Sequence, residues 1–279
     1  MGTLYVVGTP IGNLEDITLR AARVLGEVSV VAAEDTRVTR RLLNHLGLRV
    51  GLVSCNAHNW AGRVSELLQT LETGDAALVT DAGMPTVSDP GSGIVNAAAE
   101  AGYRVEVIPG PSAVTTALAA SGMSADAFLF VGFLPRRRRE RQKRLEEISR
   151  IGNTLVFFEA PHRLRSSLDD MLGVLGDRHM AVCRELTKLH EEVRRGPITE
   201  MLEHFTSPRG EFVLVVAGAV AGNEQSESGQ SEDAALQQLV QLRRSGARAR
   251  DAVAEVVTGT GLSRKEVYRL WLESRDAES

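Results

Sequence analysis

The stretch LYVVGTPIGN, residues 4–13, sets the fold class of this 279-residue chain. Its first four residues are a short apolar run typical of a buried strand, and a glycine- and proline-rich loop follows at once. The same succession of apolar strand, loop and amphipathic helix recurs over the next hundred residues or so. This βαβα pattern predicts an α/β fold with a mostly parallel sheet that helices cover on both faces.

The predicted strands and helices fall into two groups. In the first, strands are predicted at 4–7, 28–33, 50–54, 76–80 and 104–108, with helices at 16–26, 38–46, 61–71 and 93–101. In the second, strands are predicted at 128–133, 154–158, 181–184 and 212–217, with helices at 112–121, 136–150, 164–175 and 198–205. We therefore predict two α/β domains, residues 1–110 and 111–220, a number that the chain length also favours.

The C-terminal part has a different composition. Residues 221–233 are polar, acidic and rich in Gly and Ser, which predicts a linker. Residues 234–279 are predicted to form a small helical module of three short helices, the second ending at Val257 and the last opened by a capping box of Ser263 and Glu266. Its arginines are either a solvated helix face or a contact with RNA.

Composition excludes several classes of protein. The net charge of −4 gives no global affinity for nucleic acid, and twelve aromatic residues argue against binding mainly by base stacking. Two cysteines without a CxxC pair favour a reducing compartment. The N-terminus does not resemble a signal peptide and no apolar run is long enough to span a membrane, so we expect a cytoplasmic protein without a membrane partner.

Common catalytic and binding motifs are missing from the sequence. It contains neither the dinucleotide-binding G-x-G-x-x-G after the first strand nor the phosphate-binding G-x-x-x-x-G-K-[ST]. The six histidines form no metal-ligating pair, and no G-x-S-x-G elbow occurs. We therefore expect no metal site, no nucleotide hydrolysis and no serine hydrolase triad.

Four loops rich in Gly, Pro or Asp follow predicted strands instead. They are GTPIGNL (8–14), AEDTR (33–37), DAGMPTVSDPG (81–91) and PGPSA (109–113). Ligands of open parallel sheets bind outside the carboxyl ends of the strands, so these loops are expected to converge on one crevice. Their backbone groups suit a flat polar ligand such as an adenosine, and they suit phosphate less well because three of the four lack Lys and Arg.

Seven segments, in order, identify a family. They are GTPIGNLEDITLRA, AAEDTR, DAGMPTVSDPG, PGPSAVTTAL, FEAPHR, RELTK and RGEFVLVVAG. They closely resemble the ribosomal small-subunit RNA (16S rRNA cytidine-2′-O)-methyltransferase family, and the resemblance covers about residues 2–218. That family belongs to the tetrapyrrole-methylase-like class, the class III methyltransferases. The resemblance implies a two-domain fold with S-adenosylmethionine (SAM) in the cleft between domains, no metal, and a homodimer.

The resemblance also implies a substrate and a set of cofactor contacts. The substrate is the decoding-region cytidine numbered 1402 of 16S rRNA, in the assembled small ribosomal subunit. The implied SAM contacts, carried over by matching motif positions, are Pro10, Asp81, Gly83, Met84, Val87, Ser88, Ser112, Ala113, Phe158, Glu159, Glu211 and Phe212.

Catalytic candidates come from two polar segments. Transfer of a methyl group to a ribose 2′-OH needs a group that can take the proton, and Glu34 and Asp35 lie at a predicted strand end that faces the crevice. The alternative is that they cap a helix and pair with Arg37, which we otherwise assign to an RNA phosphate. Lys188 in RELTK is a further candidate base, provided that burial lowers its pKa.

Other basic residues are candidates for substrate binding. Residues 136–150 carry eight Lys or Arg and three acidic residues, and Arg136, Arg137, Arg138 and Arg139 are predicted to contact RNA phosphates unless the helix is merely solvated. His162 and Arg163 are predicted to contact the RNA or to cap a helix, and Arg184 is predicted to bind substrate from a polar wall of the cleft. Two other functions remain open: a methyltransferase for a corrinoid or porphyrin, and a non-catalytic ribosome-binding protein.

Overall fold

The computed structural model describes residues 2–89, 91–219, 235–243, 245, 247, 249–260 and 264–273. The chain forms two compact units, residues 1–218 and 219–279. The first unit contains two five-stranded sheets. The predicted division of this unit into domains at residues 110 and 111 stays a prediction.

The first sheet is parallel throughout, as predicted. Its strands are β1 (Thr3–Val7), β2 (Val30–Ala33), β3 (Gly51–Ser54), β4 (Ala76–Val79) and β5 (Arg104–Ile108). They lie in the order β3-β2-β4-β1-β5, so that β1 and β4 are neighbours although they are far apart in sequence. The connecting helices are α1 (Leu19–Glu27), α2 (Thr36–His45), α3 (Trp60–Thr73) and α4 (Ser92–Glu100).

Both faces of this sheet are buried. Val7 and Val31 pack on one face with Leu25 of α1 and Leu42 of α2. The opposite face carries a second apolar cluster, formed by strand residues with Leu67 of α3 and Ile94 of α4. Strands buried on both sides have continuous apolar sequences, which is why the sequence predicts them well.

The second sheet is mixed. Its strands are β6 (Phe128–Phe133), β7 (Thr154–Glu159), β8 (His179–Arg184), β9 (Glu192–Pro197) and β10 (Phe212–Val216). The order is β6-β7-β10-β8-β9, with β6 and β7 parallel and the other pairs antiparallel. Strand β9 was not predicted, because this edge strand exposes Arg194 and Arg195 and lacks an apolar run.

Helices also cover both faces of the second sheet. Helix α5 (Ala113–Ser121) packs on one face through Ala117 and Leu118. The other face is covered by α6 (Arg138–Ile148), α7 (Leu164–Leu175) and α8 (Ile198–His204). Helix α6 is shorter than the predicted 136–150, and its first residue is the third of the four consecutive arginines.

The C-terminal unit has its own small core. Its described helices are α9 (residues 235–243), α10 (Ala249–Thr260) and α11 (Arg264–Glu273). The guanidinium of Arg243 lies 4.1 Å from the ring centroid of Trp271, so this arginine takes part in packing. The predicted end of the second helix at Val257 is wrong, since α10 continues to Thr260. The predicted linker 221–233 and the capping residue Ser263 lie outside the described residues.

None of the described helices has the length and apolarity needed to cross a bilayer.

Candidate active site

The loops that follow β1 and β4 are joined directly. The Thr9 amide donates to the Gly83 carbonyl at 2.9 Å, and the Gly83 amide donates back to the Thr9 carbonyl at 3.1 Å. The loop after β5 is equally close, since a Cβ atom on Gly8 would lie 2.7 Å from the Gly110 nitrogen. Only glycine allows this approach, so three of the four predicted loops converge at one point.

A cavity of about 360 Å³ opens where these loops face the second sheet. Nine of the predicted cofactor residues line it, from both sheets: Asp81, Gly83, Met84, Val87, Ser88, Ser112, Ala113, Phe158 and Glu211. The predicted catalytic residue Glu34 lines it too. The structure thus brings together residues that are more than a hundred positions apart in the sequence.

Three predicted cofactor residues lie outside the cavity lining. Pro10 is buried and precedes Ile11, which does line the cavity. The carboxylate of Glu159 is buried, where it accepts hydrogen bonds from the Ser167 hydroxyl and, at 2.9 Å, from the Ala160 amide. The ring of Phe212 is buried in the apolar core.

Eight further lining residues were not predicted as site residues. They are Ile11, Ala82, Asp89, Val114, Phe133, Cys183, Leu186 and Val213. Most are apolar strand or loop residues with no chemical signature in the sequence. Helix α4 begins after Gly91 without a side-chain cap, so Asp89 does not cap it. A carboxylate in the same loop as Asp81 was the signal that could have identified it.

The cavity is acidic. Glu34, Asp81, Asp89 and Glu211 line it, and its lining, taken from the described residues, contains no Lys or Arg. Burial raises the pKa of Glu34 and of Asp81, and it raises the pKa of Asp89 to about 6, with repulsion from Glu34 adding to the effect. These carboxylates disfavour an anionic ligand and favour one that carries a positive charge.

Glu34 and Asp35 have different environments despite being adjacent. Hydrogen bonds from Arg37 lower the pKa of Asp35 to about 2, and its side chain also accepts from the Arg37 amide as the N-cap of α2. Arg37 is therefore engaged with Asp35 at 2.6 Å. The Glu34 carboxylate faces the cavity with a raised pKa, which makes it the better proton acceptor of the two.

Strained backbone occurs at and beside the cavity. Among the described residues, four other than glycine have a positive φ, and they form two pairs: Thr86 and Ser88 in the loop after β4, and Glu185 and Thr187 in the segment after β8. Of these four, Ser88 lines the cavity. Such conformations cost of order 1–3 kcal/mol each, and they concentrate at ligand sites and active sites.

Lys188 lies at the edge of this region. Its ammonium group is 2.7 Å from Glu211 and 3.1 Å from Glu185. Burial alone would lower its pKa, but the hydrogen bonds to Glu211 and Glu185 outweigh burial and raise it. These contacts keep Lys188 charged at neutral pH, so the condition under which it could act as a base is not met.

The four consecutive arginines Arg136–Arg139 are all exposed at the start of α6. They differ in their partners: Arg137 pairs with Glu140, and Arg138 pairs with the buried Asp170 at 3.1 Å. Asp170 also binds the buried Arg141, which fastens α6 to α7.

The other predicted substrate residues are dispersed. His162 is exposed. Arg163 is mostly buried and donates to the carbonyls of Leu134 and Pro135. Arg184 donates to the Arg209 carbonyl at 2.7 Å and pairs with Glu192. Two of these three side chains therefore have structural partners.

The cavity fits a nucleoside with a cationic group. Its size lies in the range of small-molecule sites, and it combines apolar walls, such as Met84 and Phe158, with backbone loops and carboxylates. A sulfonium ion, as in SAM, matches this charge. The described residues contain no group of three or more His, Cys, Asp or Glu side chains that could hold a metal ion.

Fold and cavity together define a methyltransferase of the two-sheet class III type, and comparisons with known proteins support this. Residues 3–202 match the family described as Tetrapyrrole (Corrin/Porphyrin) Methylases. Among solved structures, uroporphyrin-III-C-methyltransferase from Thermus thermophilus is 23% identical, with a TM-score of 0.56 over 78% of this chain and 94% of that one. Diphthine synthase is 15% identical, with a TM-score of 0.60 over 78% and 90%. At such identities these two structures establish the fold alone.

Curated relatives show which family within the tetrapyrrole methylases the chain resembles. A protein named Ribosomal RNA small subunit methyltransferase I from Halalkalibacterium halodurans is 44% identical over 97% of this chain and 94% of its own length. The protein of that name from Thermotoga maritima is 46% identical over 78% of this chain and 99% of its own length. The chain belongs to the ribosomal RNA small subunit methyltransferase I family, within the tetrapyrrole methylases. The resemblance inferred from the sequence motifs, and the fold class, are confirmed.

Proposed function

We propose that this methyltransferase uses SAM to methylate the ribose 2′-oxygen of a decoding-region cytidine, numbered 1402, in the 16S rRNA of the assembled small ribosomal subunit. The observation that carries the proposal is the acidic cavity at the converging loops. The exposed arginine segment Arg136–Arg139 belongs to the same compact unit. The protein would act in the cytoplasm.

Backbone and side chains of the cavity would hold SAM. The loops after β1, β4 and β5 offer peptide N–H and C=O groups to an adenosine, while Met84, Val87 and Phe158 offer apolar contact. SAM supplies an electrophilic methyl group on a positively charged sulfur. Glu34, Asp81 and Asp89 would stabilise that charge.

The residues of the chain would position and deprotonate the nucleophile. Glu34 would accept the proton of the 2′-OH, because its carboxylate faces the cavity and its pKa is raised by burial. Asp35 would hold α2 and Arg37 in place. Alignment of the 2′-oxygen with the methyl group is the largest contribution, since positioning supplies several kcal/mol in such transfers.

Exposed arginines would bind the RNA backbone. Arg136 and Arg139 lie at the N-terminal end of α6, where both their charge and the helix dipole attract phosphate. A corrinoid or porphyrin substrate would have no need of this segment.

The experiment is methyl transfer from labelled SAM to small subunits that lack the modification. We expect SAM binding by calorimetry, incorporation of label, and a methylated ribose after nuclease digestion and mass spectrometry. Label on a base would contradict the 2′-oxygen assignment. Tight binding of subunits without incorporation would favour a non-catalytic ribosome-binding protein, and transfer to a corrinoid or porphyrin would favour the other alternative.

The proposal includes a homodimer and two α/β domains, residues 1–110 and 111–220, with SAM between them. Analytical ultracentrifugation tests the first statement: we expect twice the chain mass of 30.1 kDa. A species of single chain mass at micromolar concentration would contradict it.

A further inference from the structure

Phe133 is an exposed aromatic ring that borders two depressions. It ends β6, is 56% exposed, and lines the acidic cavity. It also lines a second depression of about 420 Å³, together with Leu134, Pro135, Arg136, Ala160, His162 and Arg163. A large apolar side chain exposed between an acidic cavity and a basic surface requires an explanation.

A β-bulge determines where this ring points. The pairing of β6 with β7 shifts between Phe130 and Gly132, so that Phe133 lies opposite Phe158. Without the extra residue, alternation would turn Phe133 to the face on which Leu129 and Val131 pack. The bulge instead turns it to the face of Phe130 and Phe158. Bulges are frequent beside active sites, where they redirect a side chain.

The redirected ring is held in place. Its centroid lies 5.5 Å from that of Phe158 in an edge-to-face contact, and Phe158 contacts Phe130 in the same way at 5.0 Å. Behind it, Arg163 donates to the carbonyls of Leu134 at 2.5 Å and Pro135 at 3.2 Å. Phe133 is therefore an exposed ring on a rigid support.

The surroundings of the ring match one nucleotide. Arg136 and the exposed His162 lie on the outer side, in the second depression, and the acidic cavity with Glu34 lies on the inner side. A nucleotide whose base lies on the ring could direct its phosphate to Arg136 and its ribose toward Glu34. Proteins that recognise unpaired RNA bases commonly stack them on aromatic side chains.

We propose that Phe133 is the platform on which the base of the target nucleotide stacks, once that nucleotide has left its RNA stack. The inference deepens the proposed function and rests on it. Stacking against Phe133 fixes the nucleoside so that the 2′-OH enters the cavity, while Arg136 and His162 contact its phosphate. One such platform is consistent with a chain that is poor in aromatic residues.

Substitution of Phe133 tests the proposal. We expect Phe133→Ala to lower kcat/KM for unmodified small subunits by roughly 5-fold to 100-fold at saturating SAM, the usual effect of losing one base–aromatic stack. Phe133→Tyr retains the ring, so it should stay within about threefold of the wild type, whereas Phe133→Leu should be as defective as Phe133→Ala because it lacks a π face. Phe128→Ala, at the other end of the same strand, is the matched control.

Three outcomes overturn the inference. Normal activity of Phe133→Leu would show that apolar volume suffices. A parallel loss of SAM affinity in Phe133→Ala, measured by calorimetry, would make Phe133 a wall of the cofactor site. Undiminished activity of Phe133→Ala would remove the platform altogether. Absence of transfer by the wild-type protein, in contrast, overturns the proposed function and this inference with it.

Fluorescence gives a second measurement. In Phe133→Trp, stacking of a base should quench the new indole when small subunits are added, beyond the change that the two native tryptophans of the wild type produce. Equal quenching in both proteins would contradict stacking at this position.

Discussion

Thr9 and Gly83 exchange two backbone hydrogen bonds, of 2.9 Å and 3.1 Å, across 74 residues of sequence. This pair joins the loop after β1 to the loop after β4, and Gly83 lines the cavity. Gly83 adopts a φ of +79° to make the connection.

Replacement of Gly83 should therefore affect both stability and cofactor binding. Gly83→Ala places a Cβ where there is room, with the nearest atom at 3.5 Å, but in a backbone region that costs about 1–2 kcal/mol for other residues. We expect a lower melting temperature and weaker SAM binding by calorimetry. Gly102→Ala, with a φ of +80° and no atom within 4 Å, should lose similar stability and keep its SAM affinity. Equal losses of affinity in both variants would contradict a specific role of the Thr9–Gly83 connection.

Glu34 and Asp35 should separate in their effects on catalysis. Glu34→Gln removes the proton acceptor, so we expect kcat to fall by about 100-fold or more. SAM affinity should fall less, because Asp81 and Asp89 remain to offset the positive charge of SAM. Asp35→Asn keeps an N-cap acceptor and should stay within about tenfold of the wild type. The measurement is single-turnover methyl transfer. A larger effect of Asp35→Asn would exchange the two roles.

Asp89 should make stability depend on pH. Its folded-state pKa of about 6 exceeds the ordinary 3.8, so the native state favours the neutral carboxyl. The associated stability is complete below about pH 4 and is lost as the pH rises through about 6. Asp89→Asn should therefore be more stable than the wild type at about pH 7.5, by about 1 kcal/mol once solvent screening of this half-buried group is allowed for. Thermal melts across the pH range check this, and a constant difference at every pH would contradict it.

The exposed arginines of α6 should control the salt dependence of substrate binding. Replacing Arg136 and Arg139 together by Gln removes two cations, so the slope of log K against log salt should fall by about 1.4–1.8. SAM affinity should not change. The single Lys143→Gln variant on the same helix should have a smaller effect. A loss of SAM affinity with unchanged subunit binding would contradict the RNA-binding role of this segment.

The fold was largely predictable because its strands are buried on both faces. The four apolar residues of β4 and the loop after them indicate an inner parallel strand without further information. Strand β9 was not predictable, since an edge strand with exposed arginines carries no apolar pattern. The extension of α10 through Gly259 was also missed, because glycine is an ambiguous end signal.

The site was predictable where backbone loops form it, and less so where side chains from the second sheet do. The predicted strand 154–158 ends before Glu159, but the observed strand continues through Glu159, and alternation turns its carboxylate into the core. Phe133 could not be assigned from the sequence, because its orientation depends on a single-residue shift in pairing.

Asp170 has a further consequence for the arginine segment. It is a buried anion that binds Arg138, Arg141 and Gln142 at once, through atoms of the first turn and a half of α6. Asp170 offsets one of the two positive charges of Arg138 and Arg141, so this part of α6 presents less net charge to solvent than its sequence suggests. In exchange, the helix is ordered before any partner arrives. Encounter with RNA would therefore resemble the docking of a rigid surface, with a small heat-capacity change, rather than the coupled folding expected of a free basic tail.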